Sequence, residues 1–321
     1  MRVVSLFAGC GGLDLGLVQS GHEIVLATDI DKDCKLTYDR NFDHPLLLKD
    51  VKLLEGTELP QYDILTGGFP CQGFSVANQY RSVLDERNEL YLEIVRLLDE
   101  TRPRFFLAEN VPGILSLGKG EVVKQIVKEF SEIGINDGWH GYDVKIFKLN
   151  AADYGVPQGR KRVIFLGVSK EYNDLTRNRI FEVFPPKPTH TPESYLTLKK
   201  AIGNLPEPYT DSANNILNHY GTKHKVKING YMGNRALSWD KPSPTIVGRG
   251  GGTGGPVIAV HPNLKRRFTV RETARIQTFP DNFEFYGATS SQFRQIGNAV
   301  AVEFARNLGL ALAEIEKIVD L

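Results

Sequence analysis

The first 170 residues alternate short apolar runs with stretches in which apolar residues recur at helical spacing. Val3–Phe7 is an apolar run ending in Ala8-Gly9-Cys10-Gly11-Gly12, and Leu13–Ser20 continues with helical spacing. Glu23–Asp29, Leu46–Leu48, Asp63–Phe69, Arg104–Ala108, Asp143–Leu149 and Val163–Val168 read as further strands. Helices are expected over about Asp33–Asn41, over Glu89–Asp99 with Asn88 as its cap, and over Glu121–Ile133. Strand and helix in alternation give an α/β fold. The expected core is a mostly parallel, Rossmann-like sheet with helices on both faces.

The pattern then lapses. Residues 176–266 contain ten of the 17 prolines, four of the seven histidines and the glycine-rich run Gly248–Gly255, with no long helical period. That segment reads as a smaller, loop-rich second domain. Regular structure resumes at Thr269-Val270-Arg271-Glu272, a capping box opening a helix to about Thr278, where Pro280 stops it. An amphipathic helix over about Val302–Ile318 is expected to return to the first sheet. The layout is a body over 1–175, an inserted domain over 176–266, and a C-terminal return over 267–321.

A length of 321 residues suits two domains, and 41% hydrophobic content suits a folded chain with a sizeable core. No apolar run approaches the ~18 residues of a membrane span. The N-terminal run leads into a glycine turn and reads as a strand, not a signal peptide. Cys10, Cys34 and Cys71 form no CxxC pair and are odd in number, which argues against a zinc site or a disulfide framework and for a reducing cytoplasm. The net charge of +1 hides an asymmetry: Arg177–Arg267 carries +9 and the remainder −8. A basic block on an acidic body suits a polyanionic partner, although a solvated basic surface has the same composition.

In a parallel sheet, ligands bind at the edge where the strands' carboxyl ends lie. After successive strands come Gly9-Cys10-Gly11-Gly12, Asp29, Asp50, Pro70-Cys71 and Glu109. The glycine turn and Asp29 suit an adenosine-containing ligand, approached by backbone and held at its ribose; a tight turn beside a surface Asp is the plain alternative. Cys71 sits in a polar turn at this edge and is the best side-chain nucleophile present. Most cysteines are buried and inert, as Cys10 and Cys34 are expected to be. Glu109 is placed to donate a proton, and Arg160 and Arg162, pointing the same way from Gln158-Gly159-Arg160-Lys161-Arg162, to bind a carbonyl oxygen or phosphate. A solvated strand end and a solvated basic turn remain the alternatives.

The ordered segments SLFAGCGGLDLG, GGFPCQGFS, AENV, QGRKR, RRFTVRETARIQTFP and IGNAVAV resemble the motif series of the DNA (cytosine-5)-methyltransferases, above all the small bacterial enzymes of restriction–modification systems. The resemblance covers about two-thirds of the chain, 3–167 and 267–312. One departure is Asp29-Ile30-Asp31, where the family usually carries Glu first. The resemblance implies methyl transfer from S-adenosyl-L-methionine to carbon 5 of a flipped-out cytosine in a specific double-stranded DNA sequence, through a covalent bond from Cys71 to carbon 6. Glu109 would protonate N3 and Arg162 would hold O2, with Arg160 supporting it or binding phosphate. Phe7 would stack on the adenine, with Gly9, Gly11 and Gly12 against the methionine part. Asp29 would bind the ribose, Ile30 pack on the adenine and Asp50 accept from its amino group, and Pro70, Leu90 and Asn298 match further cofactor contacts. Arg81 and Arg87 would meet DNA from a closing segment, and Arg235 and Arg249 would read it from the inserted domain. A monomer, paired in function but not in contact with a restriction endonuclease, is the default expectation. RNA methylation by the same chemistry, a DNA-binding protein without catalysis, and a nicotinamide-dependent oxidoreductase on a similar sheet are the rival readings.

Overall fold

The computed structural model describes residues 1–69, 90–177, 179–222, 225–231, 233–248 and 257–319. Nine strands are present among them: β1 (Arg2–Leu6), β2 (Glu23–Asp29), β3 (Leu47–Leu48), β4 (Ile64–Gly67), β5 (Phe105–Asn110), β6 (Tyr142–Asn150), β7 (Gln158–Gly159), β8 (Lys161–Ser169) and β9 (Ser243–Pro244). The helices are α1 (Gly12–Gln19), α2 (Lys32–Asn41), α3 (Leu90–Thr101), α4 (Glu121–Ser131), α5 (Lys170–Leu175), α6 (Ile180–Val183), α7 (Leu198–Ile202), α8 (Val270–Ile276), α9 (Thr289–Asn298) and α10 (Val302–Val319).

Seven strands form one sheet in the order β3-β2-β1-β4-β5-β8-β6. Neighbours from β3 to β5 are parallel, whereas β8 runs antiparallel to both β5 and β6. The central strands β4, β5 and β8 are buried along almost their whole length, which is why they read as continuous apolar runs. One face packs Leu13 and Leu17 of α1 and Phe304, Leu308 and Leu312 of α10 against Val3, Ile64 and Ile164. On the other, Ile94, Leu97 and Leu98 of α3 and Ile126 and Phe130 of α4 cover Val4, Leu65 and Phe106.

A third core joins Leu198 and Ile202 of α7, Ile246 and Ile258 to Phe268, Val270, Ala274, Phe293 and Ile296 of the C-terminal return. Ile180 and Phe184, early in the basic segment, pack instead in the core beneath the main sheet. The capping box is formed in both directions: Glu272 N donates to Thr269 Oγ1 at 3.1 Å, and Thr269 N to Glu272 Oε2 at 2.8 Å. Helix α9 was not expected from the sequence. Beside the apolar Phe293 and Ile296 it buries Ser291, Gln292, Gln295 and Gly297, so most of its burial falls on residues that no apolar stripe would mark.

Candidate active site

Strand β1 ends at Leu6 between Thr28 and Gly67, Asp29 lies opposite Leu48, and Ala108 opposite Gly67. The loops after β1 to β5 therefore share one edge. Because β8 is antiparallel, it brings its beginning there: Ile164 faces Glu109 and Val163 faces Asn110. Arg162, the second residue of β8, thus joins the loop residues at that edge.

The turn after β1 is built from left-handed residues, Phe7 at φ 54°, Gly9 at 58° and Gly11 at 85°. A Cβ on Gly9 would meet nothing within 4 Å, so this glycine borders open space. Gly11 and Gly12 face protein: a Cβ on Gly11 would strike the Phe42 ring, and one on Gly12 the Val300 carbonyl. Their tight packing gives them a structural reason to be glycine, independent of any ligand. Asp29 braces the turn, its Oδ2 accepting from Gly9 N at 2.8 Å and its Oδ1 from Asp31 N at 2.9 Å. Burial raises the Asp29 carboxyl above its ordinary value against the pull of these backbone donors. Beyond it, Ile30 is 70% exposed, an apolar side chain standing free beside a carboxylate. Asp50 is half-buried and caps the next turn, accepting from Lys52 N at 3.0 Å. Leu90 is half-buried at the start of α3, and Asn298 is exposed at the end of α9.

Glu109 and Arg162 meet as an ion pair, Nε to Oε1 at 2.6 Å, with side chains only 12% and 10% exposed. Gly68 lies beside them; a Cβ there would sit 3.6 Å from Glu109 Oε2. Arg162 Nη1 also donates to the Lys161 carbonyl at 2.7 Å. The Arg160 guanidinium is fully buried and makes different contacts. It donates to the carbonyls of Ile246 at 2.9 Å, Gly297 at 3.2 Å and Ala299 at 2.8 Å. Burial first, and then the neighbouring Arg162, push its pKa well down. The two guanidinium groups do not present a common face, and the phosphate contact considered for Arg160 has no opening to reach it.

Arg160 belongs to a clasp that the sequence did not reveal. Gln158 Oε1 accepts from Ile246 N at 2.8 Å, and Gln158 Nε2 donates to Gln277 Oε1 at 2.8 Å. Gln277 Nε2 donates in turn to the Ile296 carbonyl at 2.8 Å. β7 pairs with β9, and Thr245 donates to the Gly159 carbonyl at 2.7 Å. Residues 243–246 are thereby fastened to the start of β8 and to the C-terminal return. Apolar spacing carries no trace of Gln158 or Gln277, because buried amides look like surface residues in a hydrophobic pattern.

In the basic segment Arg235 is exposed, its Nε donating to the Gly230 carbonyl at 3.2 Å, and Trp239 stands edge-on to His261 with ring centroids 5.0 Å apart. Pro70, Cys71, Arg81, Arg87 and Arg249 lie outside the described residues, as do Asn88 and most of the glycine run. Phe69, the last described residue before Cys71, is buried, and its carbonyl accepts from Asn110 Nδ2 at 3.5 Å. Cys10 and Cys34 are both buried, and burial pushes both thiols far up. Among the described residues no helix is long and apolar enough to cross a membrane, and no group of His, Cys, Asp and Glu could hold a metal ion.

A seven-stranded, mostly parallel sheet with one antiparallel strand near its edge is the fold of the class I methyltransferases. A putative DNA modification methyltransferase encoded within an E. coli prophage has the same fold at a TM-score of 0.75, with 28% identity over 99% of both chains. Residues 1–314 match the model of the C-5 cytosine-specific DNA methylases, and the chain belongs to that family. It is 35% identical to the type II methyltransferase M.FnuDI of Fusobacterium nucleatum, over 99% of this chain and 97% of that one. It is 37% identical to M.MthTI of Methanothermobacter thermautotrophicus, over 96% of each. The protein is a DNA cytosine-5 methyltransferase of the type found in restriction–modification systems, and the oxidoreductase reading falls.

Proposed function

We propose that the protein methylates carbon 5 of a flipped-out cytosine in a specific duplex sequence, with S-adenosyl-L-methionine as donor and Cys71 as nucleophile, and that it protects host DNA. The observation that carries this reading is the buried Glu109–Arg162 pair on the edge where β4 ends, four residues before Cys71. An acid held against a guanidinium, nine-tenths out of water, suits an edge-on pyrimidine: one group for N3 and one for O2.

The residues after β1 and β2 fit the cofactor. Gly9 leaves open space where any side chain would intrude, Asp29 offers a braced carboxylate, and Ile30 offers an exposed apolar surface for a purine. Phe7, Asp50, Leu90 and Asn298 are assigned further contacts around the same ligand, with Pro70. When bound, the cofactor supplies a methyl group on a sulfonium.

Cytosine C5 is a poor nucleophile. The Cys71 thiolate forms a bond to C6, the C5–C6 π pair moves onto C5, and Glu109, having taken up a proton from water, delivers it to N3 as charge develops there. Arg162 holds O2 throughout. The electron-rich C5 would then take the methyl group, the sulfonium–methyl bond breaking to leave a neutral thioether. A base then takes the C5 proton, its electron pair re-forms the C5–C6 double bond and breaks the C6–S bond to free the Cys71 thiolate, and N3 returns its proton to Glu109. A stacked base offers none of these atoms, so extrusion at a cost of a few kcal/mol comes first. Residues 176–266 serve as the DNA-reading part, with Arg235 and Arg249 directed to bases and Arg81 and Arg87 to the duplex around the extruded base.

An oligonucleotide carrying 5-fluorocytosine at the target site tests the chemistry, because fluorine blocks the final proton loss. A covalent adduct that needs the cofactor and is absent from Cys71→Ala is expected. Equal labelled methyl transfer by both proteins would refute the mechanism.

A further inference from the structure

Helix α9 carries an arginine that none of these assignments uses. Arg294 and Asn298 are four residues apart and therefore share one face of the helix. Asn298 lies one turn further on and is the exposed residue assigned to the cofactor. Arg294 Nη2 donates to Asp31 Oδ2 at 2.8 Å and to Ser291 Oγ at 3.0 Å. Asp31 is the N-cap of α2, its Oδ1 accepting from Asp33 N at 2.9 Å and Cys34 N at 3.2 Å. The Asp31 amide in turn donates to Asp29 Oδ1 at 2.9 Å, while Asp29 Oδ2 holds Gly9 N at 2.8 Å. An unbroken chain of hydrogen bonds thus runs from the C-terminal return, through a helix cap, to the acid and glycine assigned to the cofactor. Ile30 lies between its two carboxylates and stands exposed.

The same turn of α9 meets the basic segment. A Cβ on Gly248 would strike Asn298 Oδ1 and lie 3.0 Å from the Arg294 carbonyl, and one on Gly297 would lie 2.5 Å from Gly248 N. The return, the segment entering the glycine run and the β2–α2 turn therefore meet over one helical turn.

We infer that Arg294 is a positioning residue for cofactor binding, acting through Asp31 to fix Asp29 and Ile30 in their binding orientation. It touches neither cofactor nor base, so its effect belongs in cofactor affinity and not in the chemical step. The inference rests on the proposed use of Asp29 for the ribose. Asp29 is one carbon shorter than Glu, so any freedom in the turn that carries it costs contact with the hydroxyls directly.

The test is a double-mutant cycle on the full chain, read as the dissociation constant for S-adenosylhomocysteine by calorimetry. Arg294→Met keeps the aliphatic stem and removes the charge. Asp31→Asn keeps an oxygen for the α2 cap and removes the other partner's charge. Each single substitution is expected to weaken binding about three- to tenfold, and the double no more than the larger single, because a partly exposed charged pair shared by both is lost only once. Arg294→Lys should recover most of the loss. KM for the methyl donor should rise with it, while kcat at saturating donor and DNA stays within about twofold. Unchanged binding by Arg294→Met, or additive single effects, overturns the inference while the cofactor reading stands. A wild-type protein that does not bind S-adenosylhomocysteine overturns the cofactor reading itself, and this inference with it.

Discussion

Arg160 and Arg162 stand two residues apart in one basic turn, yet the structure gives them opposite surroundings. Arg162 reaches a carboxylate at the lip of the sheet, whereas Arg160 donates to three backbone carbonyls from two other parts of the chain. An arginine can do the latter because its planar fork carries five donors, a geometry no lysine reproduces. Removing it takes the side-chain donor from the Ile246 and Gly297 carbonyls and leaves Ala299 only the longer bond from Gln277 Nε2. Arg160→Gln is therefore expected to lower unfolding stability by about 3 kcal/mol or more. Arg162→Gln leaves the Glu109 carboxylate without its partner, so it also costs stability, but it alone should lower kcat by about a hundredfold or more, the usual scale for losing a donor to developing charge. Urea denaturation and single-turnover methyl transfer on the two variants check the pair. Wild-type stability in Arg160→Gln, or wild-type kcat in Arg162→Gln, would reverse the assignment.

At the scale of elements, what was readable in the sequence was what water exclusion writes as a period. β1, β2, β4, β5 and β8 appear as apolar runs, α3 and α4 as apolar stripes, and the capping box at Thr269 as a local signal; all of these formed. What stayed hidden is held by polar atoms. Helix α9 buries Ser291, Gln292 and Gln295, and Gln295 both accepts from Thr37 Oγ1 at 2.7 Å and donates to the Tyr286 carbonyl at 2.9 Å. The two apolar residues Phe293 and Ile296 mark such a helix only weakly, because most of its fit is specified by polar partners distant in sequence. Arg294 was missed for the same reason. The glycines of α1 show the reverse error, since a turn that reads as ligand-binding is partly a packing device. Gly16 lies against α10, where a Cβ would meet Ala305 Cβ and the Arg306 amide. Gly16→Val should push the two helices apart and cost about 1–3 kcal/mol, read as a lowered urea midpoint. At Thr269, alanine removes the Oγ1 acceptor of the capping box and should cost about 1 kcal/mol. If Gly16→Val unfolds no more easily than wild type, α1 and α10 do not depend on this close approach.

Over the whole molecule, the first strand, the first two helices and the turn after them are tied by one buried carboxyl. Asp14 is fully buried on α1, accepting from Ser5 Oγ of β1 at 2.6 Å and from Tyr38 Oη of α2 at 2.7 Å; Tyr38 also lies 3.0 Å from His44 Nε2. Burial pushes the Asp14 carboxyl up to about 6, more than the two hydroxyl donors pull it down. The sign follows from linkage. A carboxyl with a raised folded pKa holds its proton in the native state after the unfolded chain has released it. Its contribution to stability is complete below about pH 4 and is lost as pH rises to about 6, then changes no further. His22, His44 and His261 have pKa values lowered by burial, so they act in the opposite sense, favouring the native state as pH rises. The wild-type curve alone mixes the two, and a difference curve separates them. Asp14→Asn cannot ionise but keeps an acceptor for Ser5, and Tyr38 can turn its proton toward His44. The stability of Asp14→Asn relative to wild type should therefore improve between pH 4 and pH 7 by about 3 kcal/mol, the value of a two-unit displacement. Chemical denaturation across that range measures it. Parallel curves would mean that Asp14 is ionised in the fold throughout, and that the hydroxyls of Ser5 and Tyr38 outweigh its burial.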